Sequence, residues 1–315
     1  MKKVSILIPA YNEQESLPLL YDKLTEVVGG LPQYEWEFMF VNDGSRDRTL
    51  EMLQELRAKD KRVNYVDLSR NFGKEVAMLA GFDYVSGDCV VIMDADLQDP
   101  PSLIPTMINK WEEGYEDVYA ARKSRGEESW LRKQFSLLYY YILQKTTKID
   151  VLQNVGDFRL LDRKCINMMK RLRETERYTK GLFCFIGCKK LRIEFDRGDR
   201  IAGKSSWNFI SLLQLAIEGI TSFTIAPLRL VSVFGILVAV VAFVYMVYVL
   251  FKALIWGDPV AGYPSMMVVI LFLGGVQLIG LGILGEYVGR IFNETKNRPV
   301  YFIESFNGEY REPEK

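Results

Sequence analysis

Two aspartates and a glutamine stand close together behind a short apolar run. Residues 89–93 predict a buried strand, and Asp94, Asp96 and Gln98 follow it at alternate positions. Hard divalent cations such as Mg²⁺ take oxygen ligands, usually one or two carboxylates together with substrate phosphates. The pattern therefore predicts a divalent-cation site, against the alternative of a polar loop that merely ends a strand.

Histidine is absent from the chain, and this restricts its chemistry. The 315 residues include 40 Lys and Arg, 40 Asp and Glu, and no His. A Ser-His-Asp or Cys-His nucleophile and a His-ligated zinc are therefore excluded. Acid, base or metal roles must fall to carboxylates, amides, Lys, Arg or Tyr. The net charge of zero argues against bulk binding of nucleic acid, which needs a basic surface.

The four cysteines, Cys89, Cys165, Cys184 and Cys188, form no CxxC pair. Cys184 and Cys188 have the spacing of some metal ligands, but no second pair or histidine completes a site. We therefore expect reduced thiols, as is usual in the cytosol.

Strand-like and helix-like segments alternate over the first 121 residues. This alternation predicts an α/β fold with a parallel, Rossmann-like sheet, although neither a GxGxxG nor a P-loop lysine motif is present. The predicted strands are residues 4–9, 36–41, 63–68, 89–93 and 118–121, and the predicted helices are residues 15–28, 47–59, 74–85 and 101–113.

Polar side chains come directly after the predicted strands. Ligands of such sheets bind beyond the carboxyl ends of the strands, so these side chains are expected to line one crevice. They are Tyr11, Glu13, Asp43, Arg70, Asp94 and Asp96.

Two long apolar runs, residues 230–255 and 266–284, lie near the C-terminus. Each is long enough to cross about 30 Å of hydrocarbon as a helix, against the alternative of buried helices in a soluble domain. Arg229 precedes the first run and Arg290 follows the second, while the connection has no Lys or Arg. The positive-inside rule then places both termini in the cytoplasm, and we expect a multi-pass protein of the plasma (inner) membrane.

These features predict four regions. Residues 1–206 form a cytosolic catalytic domain, and residues 207–228 an interfacial amphipathic helix, with a core helix as the open alternative. Residues 229–290 form a two-helix transmembrane hairpin, and residues 291–315 a cytosolic tail that is polar and mobile from Glu304. A further segment, residues 129–145, suits the membrane surface and a core helix equally.

Six segments resemble, in their order, those of glycosyltransferase family two. The closest likeness is to polyprenyl-phosphate glycosyltransferases, namely the GtrB-like bactoprenol glucosyltransferases and their dolichol-phosphate mannosyltransferase relatives, and it covers nearly the whole chain. It implies a GT-A nucleotide-sugar-binding fold. The segments are IPAYNE (8–13), VNDGSRD (41–47), SRNFGKE (69–75), DADLQDPP (94–101), GDFRLLDR (156–163) and RIAGKSSW (200–207).

The resemblance assigns roles around the donor. A nucleotide-sugar would contact Pro9, Tyr11, Glu13, Asp43, Asp94 and Ala95. Asp96 and Gln98, with Asp94, would hold Mg²⁺ or Mn²⁺. Lys74 is either a phosphate contact or a surface lysine, and Asp43 is either a nucleoside contact or a turn-forming residue before Gly44. Arg200 and Lys204 would close over the diphosphate as a mobile lid.

The acceptor implied by the resemblance is a lipid phosphate. Arg122, Arg132 and Ser136 match positions that bind it, with Arg125 as the open alternative to Arg122, and Arg suits phosphate through its planar fork. Asp157 lies where the family has a catalytic acid. It is either a general base, a group that orients the phosphate, the sugar or Arg159, or a structural partner of Arg159. A phosphate monoester is already largely ionised near neutral pH, its second pKa being about 6, and needs little activation.

The expected reaction is an inverting transfer of a hexose, glucose from UDP-glucose, to undecaprenyl phosphate in the lipid bilayer, for surface polysaccharide. The same reaction with UDP-GlcNAc, GDP-mannose or an amino-arabinose nucleotide is the nearest alternative. A processive polysaccharide synthase and a non-enzymatic membrane scaffold are more distant ones. Gly285-x-x-x-Gly289 and the likeness to a tetrameric relative suggest a homotetramer.

Overall fold

Eight strands form one sheet in the part of the chain that the structure describes. The structure is a computed structural model and describes residues 1–122, 155–175, 177–195, 226–256 and 262–310. The strands are β1 (Lys3–Ala10), β2 (Glu35–Asn42), β3 (Val63–Leu68), β4 (Cys89–Ile92), β5 (Asp117–Arg122), β6 (Val155–Asp162), β7 (Lys190–Phe195) and β8 (Ile303–Phe306). The helices are α1 (Leu17–Gly29), α2 (Thr49–Lys59), α3 (Lys74–Tyr84), α4 (Ile104–Glu112), α5 (Arg163–Arg171), α6 (Thr179–Phe185), α7 (Ala226–Trp256) and α8 (Tyr263–Thr295).

The centre of the sheet is parallel and its flanks are mixed. The strand order is β7-β5-β6-β4-β1-β2-β3-β8. β1 pairs in parallel with β2 and β4, and β2 pairs in parallel with β3. The predicted α/β fold with parallel strands is therefore confirmed for the first four strands.

β6 occupies the place beside β4 that a continuous parallel sheet would give to β5. It runs antiparallel to both neighbours, with Cys89 opposite Asp162 and Ile92 opposite Arg159. The expectation of an entirely parallel sheet is wrong on this side. An antiparallel strand inserted from later in the chain depends on long-range pairing, which no local periodicity signals.

The central strands are buried on both faces, which explains their continuous apolar runs. On one face, Val4, Ile6 and Ile8 of β1 belong to a core cluster that also contains apolar residues of α1. On the other face, Leu7 meets α3 at Gly81, where an added Cβ would lie 2.1 Å from Leu7 Cδ1. This packing holds the carboxyl ends of β1, β2 and β4 at one edge of the sheet, which we call the carboxyl edge.

The chain returns to the sheet after its two long helices. β8 pairs antiparallel with β3, with Phe306 opposite Val66. Met1–Leu215 and Pro299–Lys315 therefore belong to one compact unit, and Ala216–Arg298 forms another. The expectation of a mobile tail from Glu304 is wrong for the residues of β8. The reason is that the edge of β3 offers unpaired backbone groups, with which even a polar segment can pair.

The second unit contains α7 and α8, which have 31 and 33 residues. Among the described residues, one stretch, Phe272–Thr295, is long and apolar enough to cross a membrane, while the apolar stretch Leu230–Tyr245 is shorter. Two spans were expected, and by this criterion the described residues supply one candidate. The interfacial helix expected at residues 207–228 lies almost entirely outside the described residues, as does the segment 129–145.

Two of the four cysteines are joined. Cys165, in the first turn of α5, forms a disulfide with Cys188, which precedes β7. Cys89 and Cys184 are free thiols. The expectation of reduced thiols is therefore wrong for Cys165 and Cys188. Spacing in the sequence does not reveal that these two turns meet in space.

Iodoacetamide is expected to label Cys184 alone in the folded, unreduced protein. Cys184 is partly exposed, whereas Cys89 is buried and its burial raises the pKa of the thiol; the reactive species is the thiolate. Unfolding should add Cys89, and reduction should add Cys165 and Cys188, as measured by peptide mass spectrometry. Labelling of Cys165 or Cys188 before reduction would contradict the disulfide.

Candidate active site

Hydrogen bonds tie together the loops that follow β1 and β2. The backbone NH of Asn12 donates to Ser45 Oγ at 3.0 Å, and Asn12 Oδ1 accepts from the NH of Arg46 at 2.8 Å. The NH of Glu13 donates to Thr49 Oγ1 at 2.9 Å. Asn12 has a φ of 56°, a left-handed conformation that asparagine tolerates. These two polar loops therefore form one surface at the carboxyl edge.

Asp43, directly after β2, holds the loop that follows β3. Its two carboxylate oxygens accept hydrogen bonds from the NH of Phe72 at 2.7 Å and the NH of Gly73 at 2.9 Å. The residue is 3% exposed. Burial raises the pKa of Asp43, although the two NH donors act in the opposite direction. The carboxylate thus binds a distant loop and does not act as a local turn former, while its contact with a nucleoside stays a prediction.

The residues predicted around the end of β1 differ in exposure. Pro9 lies within β1 opposite Val41, whereas Tyr11 follows the strand and is 42% exposed. Glu13 accepts a hydrogen bond from Ser16 Oγ at 2.5 Å. Burial raises the pKa of Glu13 against the effect of this bond, and the negative charges of Asp96 and Asp94 raise it further. The loops after β1 and β4 therefore share one electrostatic environment.

The loop after β4 turns sharply at Leu97. Its φ of 61° is rare for a bulky residue and costs about 1–3 kcal/mol. The turn lets the NH of Gln98 donate to Asp96 Oδ1 at 3.1 Å. It also buries Gln98, whose Nε2 has no hydrogen-bond partner within the described structure, and the neighbouring Ala95. A strained turn with an unsatisfied amide is typical of a binding site.

Lys74, the first residue of α3, joins two carboxylates from different parts of the chain. Its Nζ lies 2.5 Å from Asp94 Oδ1 and 2.6 Å from Asp157 Oδ2. Burial favours the neutral amine, but the charges of Asp157 and then Asp94 raise the pKa of Lys74 above its ordinary value. Lys74 is therefore a charged member of an acid cluster and not an isolated surface lysine.

Asp157 reaches this cluster because β6 runs antiparallel to β4. Arg159 lies opposite Ile92, which brings Asp157 beside the start of the loop after β4. Burial alone would raise the pKa of Asp157, but the ammonium groups of Lys74 and Lys180 hold it below its ordinary value. Its Oδ1 is buried and lacks a hydrogen-bond partner among the described residues. The site thus contains an ionised carboxylate with one unsatisfied oxygen.

Arg159 pairs with a different acid. Its Nη1 lies 3.2 Å from Asp117 Oδ2 in a fully buried ion pair, and its guanidinium carbon lies 3.8 Å from the ring centroid of Phe183. The alternative of a structural pair between Asp157 and Arg159 is therefore wrong. The ion-pair partner of Asp157 is Lys74.

A further acid, Asp99, lies behind Asp94, and sequence reasoning gave it no role. Asp99 is 6% exposed, and its Oδ2 accepts from the NH of Asp94 at 3.4 Å. Burial, together with the charge of Asp94, raises the pKa of Asp99 to about 7. The only sequence signal for it was its place in the segment DADLQDPP.

Several predicted residues lie where the structure gives no side chain. Arg122 is described by its main chain, at the end of β5 opposite Phe195 of β7. The acceptor residues Arg132 and Ser136 and the lid residues Arg200 and Lys204 lie outside the described residues. Their roles stay predictions.

The oxygen donors at the carboxyl edge fit a hard divalent cation. Asp94, Asp96 and Gln98 come from one short turn and offer carboxylate and amide oxygens, the ligands that Mg²⁺ and Mn²⁺ prefer. Glu116, Cys165 and Cys188 also bring ligand-type atoms within 4.8 Å of one another. However, the two cysteines are joined to each other and Lys164 binds Glu116 at 2.7 Å. Of the two groups, the turn after β4 is the better candidate.

Comparison with known proteins identifies the family. The family model described as glycosyl transferase family 2 matches residues 5–168, and that of the GtrB C-terminal hairpin matches residues 226–291. A bactoprenol glucosyl transferase of Shigella phage SfX is 43% identical over 303 residues, which cover 96% of this chain and 99% of the phage protein. The putative glycosyltransferase CsbB of Bacillus subtilis is 43% identical over 304 residues, which cover 96% and 92% of the two chains.

Among solved structures, glucosyl-3-phosphoglycerate synthase from Mycobacterium tuberculosis, in complex with Mn²⁺, UDP and glucosyl-3-phosphoglycerate, is 19% identical with a TM-score of 0.46. The match covers 70% of this chain and 78% of the synthase. The family model spans more than half of the chain and the phage relative nearly all of it. The protein is therefore a glycosyltransferase of family 2 that carries the GtrB C-terminal hairpin.

Proposed function

We propose that this glycosyltransferase moves glucose from UDP-glucose onto polyprenyl phosphate, with undecaprenyl phosphate as the acceptor. The observation that carries the proposal is the cluster of Lys74, Asp94 and Asp157 at the carboxyl edge. It fixes a lysine ammonium, a group that can bind a phosphate oxygen, beside the predicted cation turn, at the edge where sheets of this kind bind their ligands. The acceptor class and the sugar are suggested by relatives named bactoprenol glucosyl transferase.

Charge on the donor diphosphate would be balanced at the turn after β4. Asp94, Asp96 and Gln98 would hold Mg²⁺ or Mn²⁺, which as a Lewis acid neutralises charge on a departing diphosphate. Lys74 adds a second positive charge beside them. The exposed ring of Tyr11 is available for the nucleoside, with Pro9, Glu13 and Asp43 around it.

The chemistry we propose is a single displacement. An oxygen of the acceptor phosphate attacks the anomeric carbon, the bond from that carbon to the UDP oxygen breaks, and an α-linked donor gives a β-linked product. Because the pKa of Asp157 is lowered, this carboxylate is a weak base, and the acceptor is ionised already with a second pKa of about 6. We therefore assign Asp157 to orienting the reacting groups and holding Lys74. No histidine is needed.

The acceptor phosphate would be bound by Arg122, Arg132 and Ser136, and Arg200 with Lys204 would cover the diphosphate. Support for these roles comes from the family resemblance and from the suitability of arginine for phosphate.

We propose that the hairpin anchors the enzyme in the plasma membrane with its catalytic unit and both termini in the cytoplasm. The described residues before α7 and those after α8 belong to one compact unit, because β8 pairs with β3. A segment whose two ends belong to one folded unit must cross a membrane an even number of times. Exposed apolar side chains on both helices, such as Ile236 and Leu281, suit contact with lipid.

We also propose a homotetramer assembled through α8. An added Cβ at Gly285 or Gly289 would meet no atom of the described residues within 4 Å, so among these residues this face of the helix has room for a close neighbour. Crosslinking in membranes that yields monomer alone would remove this assignment.

The function is tested by supplying purified protein with undecaprenyl phosphate, Mg²⁺ or Mn²⁺, and one nucleotide sugar at a time. The expected result is a lipid carrying one hexose phosphate with UDP-glucose, detected by mass spectrometry. Transfer from UDP-GlcNAc, GDP-mannose or an amino-arabinose nucleotide instead would change the donor alone. Addition of many sugars would favour a processive synthase, and no product from a folded protein would refute the proposal.

Gly44→Ala is expected to raise the Kd for UDP about tenfold. Gly44 has a φ of +62°, and an added Cβ would lie 2.4 Å from the carbonyl carbon of Arg70 and 2.5 Å from the nitrogen of Asn71. Because both are backbone atoms, the loop bound by Asp43 must move, and about 1.4 kcal/mol of lost binding energy is a factor of ten. Calorimetry with UDP measures the effect. Gly29→Ala, where an added Cβ meets nothing within 4 Å in the described part of the chain, is the control. Equal affinities in the two variants would contradict the prediction.

A further inference from the structure

The segment that follows α8 packs against β3 at the point where that strand ends. The NH of Ser69, the first residue after β3, donates to the carbonyl of Phe302 at 3.0 Å. Asn307 Oδ1 accepts from the NH of Tyr65 at 2.9 Å, and Asn307 Nδ2 donates to Asn64 Oδ1 at 2.9 Å. These bonds fix the C-terminal segment to β3 at both of its ends.

The same segment also contacts the far end of α3. Tyr301 Oη donates to Asp83 Oδ2 at 2.6 Å, and the ring of Phe306 stacks on Tyr84 with 4.9 Å between centroids. Burial and the charge of Asp83 raise the pKa of Tyr301, so its hydroxyl stays a donor. Arg173 binds the same carboxylate at 2.7 Å. Residues 301–307 therefore hold β3 and α3 together, and we call them the C-terminal clamp.

The loop between β3 and α3 is the loop that the candidate site uses. The NH groups of Phe72 and Gly73 bind the Asp43 carboxylate, and Lys74, the next residue, binds Asp94 and Asp157.

The clamp binds the first residue of this loop, Ser69. Its contacts at Asp83 and Tyr84 hold the helix that continues the loop, so the clamp restrains the direction in which α3, and Lys74 with it, leaves the loop. When only a fraction of the molecules has the binding-competent conformation, the apparent affinity for the ligand falls in proportion to that fraction.

We propose that the C-terminal clamp is a positioning element for the donor, setting the affinity for the nucleoside diphosphate through the loop at residues 69–73. This inference rests on the proposed function, because it takes that loop to be the one that receives the donor. The clamp touches no reacting group in the described structure, so it should change donor binding and leave the chemical step at saturation as it is.

The test is the double variant Tyr301→Phe/Asn307→Gly in the full chain. The phenylalanine removes the bond to Asp83, and glycine removes the Asn307 side chain while tolerating its φ of 53°. We expect the Kd for UDP with Mg²⁺ to rise about tenfold, as when the competent fraction falls to about a tenth. We expect kcat at saturating donor and the KM for undecaprenyl phosphate to stay within about twofold of the parent values, because the clamp touches no reacting group in the described structure. In free energy, a factor of two is less than half of a tenfold step.

Glu309→Ala is the matched control, because the Glu309 side chain is exposed and only its backbone bonds to Phe306. Thermal unfolding of each variant verifies folding, and Tyr301→Phe alone serves if the double variant does not fold. Unchanged UDP affinity, or equal losses in donor affinity, acceptor KM and kcat, would overturn the inference while leaving the proposed function intact. A parent protein that binds no UDP at all would refute the proposed function and this inference with it.

Discussion

Asp96→Ala is expected to lower the rate of sugar transfer about a thousandfold. Asp96 lies in the strained turn after β4, where its Oδ1 accepts from the NH of Gln98, and it is one of three oxygen donors assigned to the cation. Charge stabilisation by a bound metal is worth several kcal/mol in the transition state, and each 1.36 kcal/mol is a factor of about ten in rate. The variant should also lose the dependence of UDP binding on Mg²⁺.

Transfer to undecaprenyl phosphate at saturating donor measures the rate, and calorimetry with and without Mg²⁺ measures UDP binding. Asp22→Ala, an exposed aspartate on α1, is the matched control and should keep the parent rate. An Asp96→Ala protein that turns over at the parent rate and still responds to the metal would remove Asp96 from the cation site.

Asp157→Asn is expected to lower kcat by about a hundredfold or more while leaving the shape of the pH profile unchanged. The substitution removes a charge that binds Lys74 at 2.6 Å and is nearly isosteric, so the loss comes from orientation and electrostatics, which are commonly worth two to three powers of ten. The ammonium groups of Lys74 and Lys180 hold the pKa of Asp157 below its ordinary value. The carboxylate is therefore already ionised over the pH range of the assay, and it adds no limb to the pH-rate profile near neutral pH.

The pH profile distinguishes orientation from general-base catalysis. We expect kcat/KM for the acceptor to rise from acid through about pH 6, where the phosphate loses its second proton, and then to level off. The same limb should appear in Asp157→Asn. If that limb disappears in the variant, Asp157 is the base and its assignment as an orienting group is wrong. Asp22→Asn provides the control for loss of an exposed charge.

The parallel centre of the sheet and the acids behind β4 could be predicted because their signals are local. An apolar run buried on both faces and the polar turn that ends it lie within about ten residues, and parallel strands end at one edge. The exposed Tyr11, the buried Asp43 and the turn from Asp94 to Gln98 were identified in this way. The model of glycosyl transferase family 2 matches residues 5–168, a range that contains all of these residues.

The ion pairs of the site could not be predicted, because they depend on long-range pairing. Lys74 and Asp157 are 83 residues apart and meet only because β6 enters the sheet antiparallel to β4. The pairing of Arg159 with Asp117 across 42 residues, and of Cys165 with Cys188, depends on the same placement. By residue type alone, each of these side chains could have had several partners, and the spacing along the chain does not show which partner it has.

By itself the sequence determined the α/β class, the family, the oxygen-rich turn and the absence of imidazole chemistry, since each follows from residue types and short-range patterns. The tertiary structure alone decided that Lys74 joins Asp94 to Asp157, and that a polar C-terminal segment becomes β8 and not a mobile tail. Both outcomes come from backbone hydrogen bonding between distant segments. The free energy of such pairing depends on which strand edge has unpaired backbone groups. This is a property of the assembled sheet and cannot be inferred from one stretch of sequence.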